Sequence, residues 1–259
     1  MSQQTDRFDL RGRVVVITGG GKGIGKVYSE EFARAGASVV AADIDDVAAN
    51  AVAAQITERG DKAIGVRVDI ADAASCEAMA QTALDRYGTI DVLVNNAALM
   101  SALPRRSWME IPPEEWDAVM AVNLRGMFLC CRAVFPTMQQ RNYGKMVNIS
   151  SSRIWEGSPN RLHYTTSKAG VIGFTRALAR EVGEFGVTVN AVTPGFTLSE
   201  TQLQSSDSSY LKQRSYAEQA IKRAQVPNDL VGAVMFLASQ ASDFISGQTL
   251  NVDGGKSMH

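Results

Sequence analysis

Residues 13–25 read RVVVITGGGKGIG, a β-branched run that passes directly into a glycine-rich turn and then into a segment of helical character. Valine and isoleucine at successive positions read as a buried strand. Gly19, Gly23 and Gly25 open the helix that starts near Ile24, with Lys22 among them. Glycines there permit a tight turn and let the backbone approach a pyrophosphate, whose charge suits the positive end of a helix. The dinucleotide reading of such a turn requires a strand before it, a helix after it and an acid at the end of the second strand. The second strand, ASVVAAD, supplies that acid as Asp43, about where ribose hydroxyls would lie. Its carboxylate can accept hydrogen bonds from the ribose and would repel a 2′-phosphate. Asp45 and Asp46 add to that field, since like charges at ~4 Å repel by about 4 kcal/mol at an effective dielectric near 20. NAD is therefore expected over NADP; Lys22, able to reach toward a phosphate, is the competing signal. The plain alternative for Asp43 is a helix N-cap.

Working outward, the same pattern recurs. RVVVIT, ASVVAAD, AIGVRVD, DVLVNN, GKMVNIS, VTVNAVTP and QTLNVD alternate with segments at 24–35, 45–59, 73–87, 114–141, 164–184 and 230–238 that read as crossover helices. The fold class this predicts is α/β: a Rossmann-like, doubly wound parallel sheet of about seven strands with helices on both faces. No repeat or low-complexity linker marks a boundary, so 1–259 is expected to be a single dinucleotide-binding domain. Two segments, 99–113 and 196–227, break the alternation. Both follow the carboxyl ends of strands, where open α/β sheets bind ligands, and are the candidate substrate loops. The third strand ends at Asp69, followed by Ile70, and the fourth at Asn95, Asn96 and Ala97. Asp69, Ile70 and Asn95 are candidates to line an adenine pocket, although turn chemistry explains Asp and Asn there almost as well.

The 259 residues are 45% hydrophobic and 20% charged, with a formal net charge of -1. That balance gives no reason to expect a nucleic-acid partner or an electrostatically held membrane surface. The first residues, MSQQTDRFDLRGR, fit neither a signal nor a transit peptide, and no window reads as the roughly 20 apolar residues of a membrane span. The expected location is the cytoplasm. Cys76, Cys130 and Cys131 have no metal-ligand spacing and read as buried free thiols; His163 and His259 form no HExxH-like pair, so no metal site is expected.

The chemistry concentrates in residues 148–168, NISSSRIWEGSPNRLHYTTSK. Tyr164 and Lys168 are i and i+4 and share one face of a helix. A phenol titrates near pH ~10, and a neighbouring ammonium favours the phenolate. With Ser151 as a hydrogen-bond donor, the trio suits proton movement at an alcohol or carbonyl. Alone, the spacing would be an ordinary accident of an exposed helix.

Together these motifs resemble the short-chain dehydrogenase/reductase family, over nearly the whole chain. TGGGKGIG resembles its TGxxxGxG signature, NNAA its NNAG motif with Ala98 in place of the last glycine, and Ser151, Tyr164 and Lys168 its Ser and YxxxK core; SGQTLNVDGG matches its C-terminal strand. The resemblance selects Ser151 among three adjacent serines and implies that Asn123, in VMAVNLRGMF, completes a catalytic tetrad by anchoring a proton-relay water. It also implies cofactor contacts at Pro194 and Gly195 and from either Thr197 or Ser199. In the implied chemistry Lys168 binds the nicotinamide ribose and lowers the Tyr164 pKa. Tyr164 is then the general acid/base in the interconversion of a secondary alcohol and its ketone, while Ser151 holds the reacting oxygen. A homotetramer built on the 114–141 and 164–184 helices is implied as well.

Met100, Trp155 and Tyr210 lie in or beside the candidate loops and would suit an apolar or aromatic substrate, and Arg153 could pair a substrate carboxylate. Loop packing or a surface salt bridge explains each equally well. His163 reads as a helix-start residue, and SSDSSYLKQRSY as a lid. The competing function is an NADPH-dependent 3-oxoacyl thioester reductase. From a different class, the chain could be a non-catalytic nucleotide-binding regulator or scaffold.

Overall fold

Valine and isoleucine leave the first strand, β1 (Val14–Thr18), without a solvent face: all five of its residues are buried. In the computed structural model, which describes residues 6–203 and 217–258, β1 lies inside a seven-stranded sheet. The others are β2 (Ser38–Asp43), β3 (Lys62–Arg67), β4 (Val92–Asn95), β5 (Gly144–Ile149), β6 (Val187–Pro194) and β7 (Thr249–Val252). They run in the order β3-β2-β1-β4-β5-β6-β7, every pairing parallel. All seven expected strands form, as the doubly wound reading requires.

Parallel neighbours need crossovers, and helices supply them: α1 (Gly23–Arg34), α2 (Asp46–Glu58), α3 (Ala73–Tyr87), α4 (Pro113–Arg141), α5 (Leu162–Val182) and α6 (Asn228–Ala238). Side chains alternate across a strand, so β1 feeds both cores. Val15 and Ile17 pack with Tyr28 and Phe32 of α1, Ile56 of α2 and Leu230 of α6. Val16 packs on the other face with Met79 of α3, Val134 of α4 and Val171 of α5. Asp45 and Asp72 start α2 and α3 by accepting from the amides of Ala48 and Ala74, each at 3.1 Å. Gly88 ends α3 at φ 75°, a conformation that costs glycine least.

The 114–141 segment departs from a uniform helix in two ways. Residues Ala121–Gly126 form a wide π turn, and Pro136 sits inside the helix, where it has no amide hydrogen to give. This helix also corrects the reading that no window matches a membrane span: by length and composition it is apolar enough to cross one, with a mean hydropathy of 1.5 over its best window. The reason is its place against the sheet, where Met127, Leu129, Cys130, Cys131, Val134 and Met138 are core residues shared with α3 and α5. The three cysteines are buried and free, with the Cys76 and Cys130 sulfurs 3.7 Å apart.

Phe32 is fully buried at the centre of one core. Phe32→Ala is expected to lower unfolding stability by about 3–5 kcal/mol. Urea denaturation measures this, and a loss below about 1 kcal/mol would contradict the packing described.

Candidate active site

Parallel pairing brings every strand's carboxyl end to one edge of the sheet, and the order reverses between β1 and β4. A cleft of about 1150 Å³ opens along that edge. Ligands of open α/β sheets bind at such a switch point.

At one end lies the turn after β1. Gly19 and Gly23 have φ of 64° and 55°, left-handed values that suit glycine. Gly25 lies beneath the turn rather than on the cleft wall: a Cβ there would stand 1.9 Å from the Gly19 carbonyl oxygen, so the helix can approach the turn only because it is absent. Gly19, Lys22, Gly23 and Ile24 line the cleft. Asp43 lines it too, and its carboxylate accepts from the amides of Gly21 and Asp45, each at 3.0 Å. It does not cap α2, a role taken by Asp45. Lys22 is ion-paired to Asp45 at 2.5 Å, which raises the lysine's pKa.

The β4 end divides its two asparagines. Asn96 lines the cleft and donates to the carbonyls of Thr18 (3.0 Å) and Gly19 (3.3 Å), tying β4 to the glycine turn. Asn95 faces inward, donates to Asn148 Oδ1 at 2.9 Å, and does not line the cleft. Successive residues of a strand point to opposite faces, so only one of the pair could reach a ligand. The sequence signal for Asn96, its strand-end position, was as strong as that for Asn95. Asp69 and Ile70 line the cleft as expected. Ala98 is exposed and does not adopt positive φ, so its position has no need of the glycine in the NNAG pattern.

Ser151, Tyr164 and Lys168 converge on the cleft wall from β5 and α5. The Ser150 hydroxyl donates to the Lys168 carbonyl at 2.7 Å and that of Ser152 to Glu156 at 2.9 Å, while the Ser151 hydroxyl accepts from the Arg153 amide at 3.3 Å and interacts with the Tyr164 phenol. Burial pushes the Tyr164 pKa up, opposed by the Ser151 hydrogen bond and by the charges of Arg153 and Arg161. The positive charges acting on the phenol are those of Arg153 and Arg161. The lysine Nζ donates instead to the Ile149 carbonyl at 2.8 Å and stands 5.9 Å from the tyrosine ring centroid. Burial lowers the Lys168 pKa to about 8.

Asn123 sits in the π turn of α4, a kind of turn often found at functional sites. Its amide donates to the Leu99 carbonyl (3.2 Å) and to Ser167 Oγ (3.1 Å), while Oδ1 accepts from the Leu99 amide at 2.7 Å. Both amide hydrogens are thus spent on protein, which clamps the loop after β4 to α5.

Pro194, Gly195, Thr197 and Ser199 line the cleft beyond β6. The Thr197 hydroxyl donates to the Gly195 carbonyl at 3.1 Å, and Ser199 and Thr201 share a hydrogen bond of 2.9 Å. Met100 and Arg153 also line it. Trp155 does not: its indole nitrogen turns toward β6, 3.4 Å from Thr193 Oγ1. Tyr210 and the whole of the SSDSSYLKQRSY lid sequence lie outside the described residues. His163 is buried at the start of α5 against Glu115, 3.1 Å away, and does not line the cleft. Arg105, Arg161 and Lys256 line the cleft without having been expected there; they come from loops and the C-terminal tail, which carry no periodic signal.

A nicotinamide dinucleotide fits these residues. Gly19 and Gly23 of the glycine turn line the cleft in left-handed conformations, Asp43 is fixed at the β2 end, and the tyrosine and lysine stand on the wall of the same cleft.

Comparison with known proteins agrees with this geometry. The family model described as enoyl-(acyl carrier protein) reductase matches residues 19–257. A (2S)-[(R)-hydroxy(phenyl)methyl]succinyl-CoA dehydrogenase subunit of Thauera aromatica is 39% identical, over 96% of this chain and 98% of that protein. A 3-oxoacyl-[acyl-carrier-protein] reductase of Synechocystis is 38% identical, over 96% and 98%. The crystal structure of a Sinorhizobium meliloti protein assigned to the short-chain alcohol dehydrogenases superposes with a TM-score of 0.90 at 30% identity, covering 97% of this chain and 98% of that one. The chain belongs to the short-chain dehydrogenase/reductase family, whose members are oxidoreductases that bind a nicotinamide cofactor and act on small molecules.

Proposed function

We propose that this protein is an NAD(H)-dependent oxidoreductase that interconverts a secondary alcohol and its ketone, with Tyr164 as the general acid/base. The observation that carries the reading is the buried pairing of the Ser151 hydroxyl with the Tyr164 phenol on the wall of a cleft whose other end holds Asp43. When bound, the cofactor supplies the site that takes up or gives the hydride. Tyr164 removes the hydroxyl proton of the alcohol in oxidation and returns a proton to the carbonyl oxygen in reduction. With its pKa raised by burial, the phenol stays protonated at neutral pH, which is the form that donates. Ser151 donates to the same oxygen and stabilises its developing charge. Lys168, anchored on Ile149, would meet the nicotinamide ribose, and Thr197 or Ser199 the carboxamide. Asn123 holds the loop and helix around them in register.

NAD is favoured because Asp43 is held rigid by two amides and Lys22 is engaged by Asp45, which leaves little to receive a 2′-phosphate. Met100 beside Tyr164 supports an apolar or aromatic substrate. The name of the Thauera relative, an aryl-substituted secondary alcohol dehydrogenase, agrees with that. The names of relatives such as the Synechocystis protein favour the second reading, an NADPH-dependent 3-oxoacyl thioester reductase. We further propose one domain over 1–259 and a cytoplasmic location, supported by the unpaired core thiols. A homotetramer is supported by an apolar depression between α4 and α5, formed by Met120, Leu124, Phe128 and Phe174.

An oxidation screen over secondary alcohols with NAD and NADP tests the reading. NAD is expected to give the higher kcat/KM, and a preference for NADPH with 3-oxoacyl thioesters would transfer the assignment to the second reading. Tyr164→Phe should retain NADH binding by fluorescence titration while turnover falls by about 10²–10⁴; activity near wild type would exclude Tyr164 as the proton carrier. Sedimentation equilibrium should give four times the chain mass, and a monomer at micromolar concentration would reject the tetramer.

Lys168 gives a pH dependence with a defined sign. Its folded pKa, about 8, lies below the ordinary 10.5, so the unfolded chain binds the proton more tightly. The penalty is complete below pH 8 and disappears as pH rises toward 10.5. Without cofactor, Lys168→Met should therefore unfold at higher denaturant than wild type near pH 7, by up to about 3 kcal/mol, with the gap closing toward pH ~10. A gap independent of pH would show that the ammonium carries no such penalty.

A further inference from the structure

Ser151 is followed two residues later by Arg153, the first residue of a single helical turn (Arg153–Glu156) on the cleft wall. Arg153 is half-buried, and burial lowers its pKa against the opposing influence of Tyr164 and Glu156. Only Nη2 is hydrogen-bonded among the described residues, to the carbonyls of Ser158 (3.3 Å) and Pro159 (3.0 Å). The Nε–H is buried and donates to nothing. No carboxylate of the described residues lies within ion-pair distance of Arg153. Glu156 acts on Arg153 electrostatically, but both it and Glu218, the other acid lining this wall, hold hydrogen bonds or ion pairs elsewhere. Glu156 accepts from Ser152, Ser158 and Lys256, the last at 2.7 Å, and Glu218 pairs with the same lysine at 3.1 Å. The other charges at this end are positive: Arg161 also acts on the Tyr164 phenol, and Arg105 lines the cleft close enough to be felt by Arg153.

A fixed cation with donors left over, in a partly desolvated wall beside the reacting oxygen, is incomplete without an anion. We infer that the substrate carries a carboxylate near its carbinol carbon, that Arg153 receives it, and that the substrate class is a 2- or 3-hydroxy acid and the corresponding oxo acid. A guanidinium fork matches a planar carboxylate through two parallel N–H bonds, which an ammonium cannot do. Ser158 and Pro159 hold Nη2 from behind and orient the remaining donors. The same charge stabilises negative charge on Tyr164, so anchoring and proton transfer draw on one group. The inference rests on the dehydrogenase reading above and narrows its substrate.

The experiment compares matched series with NAD and the intact enzyme: aryl and alkyl 2- and 3-hydroxy acids, their methyl esters, phosphorylated alcohols of similar size, and unsubstituted secondary alcohols. The acids should exceed their esters in kcat/KM by about 10- to 100-fold. Arg153→Met should bring the acid-to-ester ratio near one, chiefly through KM for the acids. Arg153→Lys, which keeps the charge without the fork, should keep part of the preference and guards against a mere folding defect. Equal use of acids and esters by the wild type, a preference for the phosphorylated alcohols, or a ratio unchanged in Arg153→Met would overturn the carboxylate assignment while leaving a dehydrogenase. No turnover in any series, with NADH still bound, would overturn the dehydrogenase reading itself, and the carboxylate assignment with it.

Discussion

Strand β1 hydrogen-bonds in parallel to β2 on one side and to β4 on the other, and the arrangement of the site follows from that double pairing. With all strands running one way, each carboxyl end delivers its loop to the same edge of the sheet. With β1 at the reversal of strand order, the loops after β1 and β4 diverge and leave the cleft between them. The glycine turn, Asp43, Asn96 and Ser151 are far apart in sequence but become neighbours through the strand order. The contacts that do exist there are refinements: Asn96 on Thr18 and Gly19, and Asn123 on Leu99 and Ser167.

The electrostatics of the cleft separate into two ends. Around the glycine turn, Asp43 and Asp45 dominate and the nearest cation, Lys22, is already paired. Around Tyr164 the balance reverses, with Arg153, Arg161 and Lys168 facing few uncommitted acids. Burial acts on both members of the catalytic pair by making charge expensive: it raises the tyrosine and lowers the lysine. These two shifts favour a neutral phenol and weaken the hold of the ammonium on its proton. Approach of a charged ligand changes that balance more than any movement of the side chains would have to.

The fold was legible because its signals are periodic. Seven β-branched runs alternating with helical segments leave few arrangements, and every one of those runs is a strand. The glycine turn and Asp43 were legible for a related reason, since their positions are counted from strand ends. What escaped were directions. Asn95 and Asn96 are equivalent as letters, yet a strand sends them to opposite faces. Lys168 shares a helix face with Tyr164 as its spacing implied, but its long side chain ends at the Ile149 carbonyl, an acceptor that no spacing reveals. Trp155 and the unexpected Arg105, Arg161 and Lys256 belong to loops and the tail, where aperiodic backbone decides orientation. The apolarity of α4 misled in the opposite sense, because a helix shared between a sheet and two neighbouring helices needs nearly as many apolar residues as one in lipid.

The π turn in α4 also bears on how chain length and function are related in this helix. A π turn accommodates one residue more than an α-helix would use to cover the same rise. The helix before and after it could keep both buried faces in phase if that residue were lost, and the core around Met127, Cys130 and Val134 would register little change. Asn123, however, would be rotated away from Leu99 and Ser167. The extra residue is therefore one that packing alone does not demand, set where the helix is hydrogen-bonded to both the β4 loop and the helix that carries Tyr164.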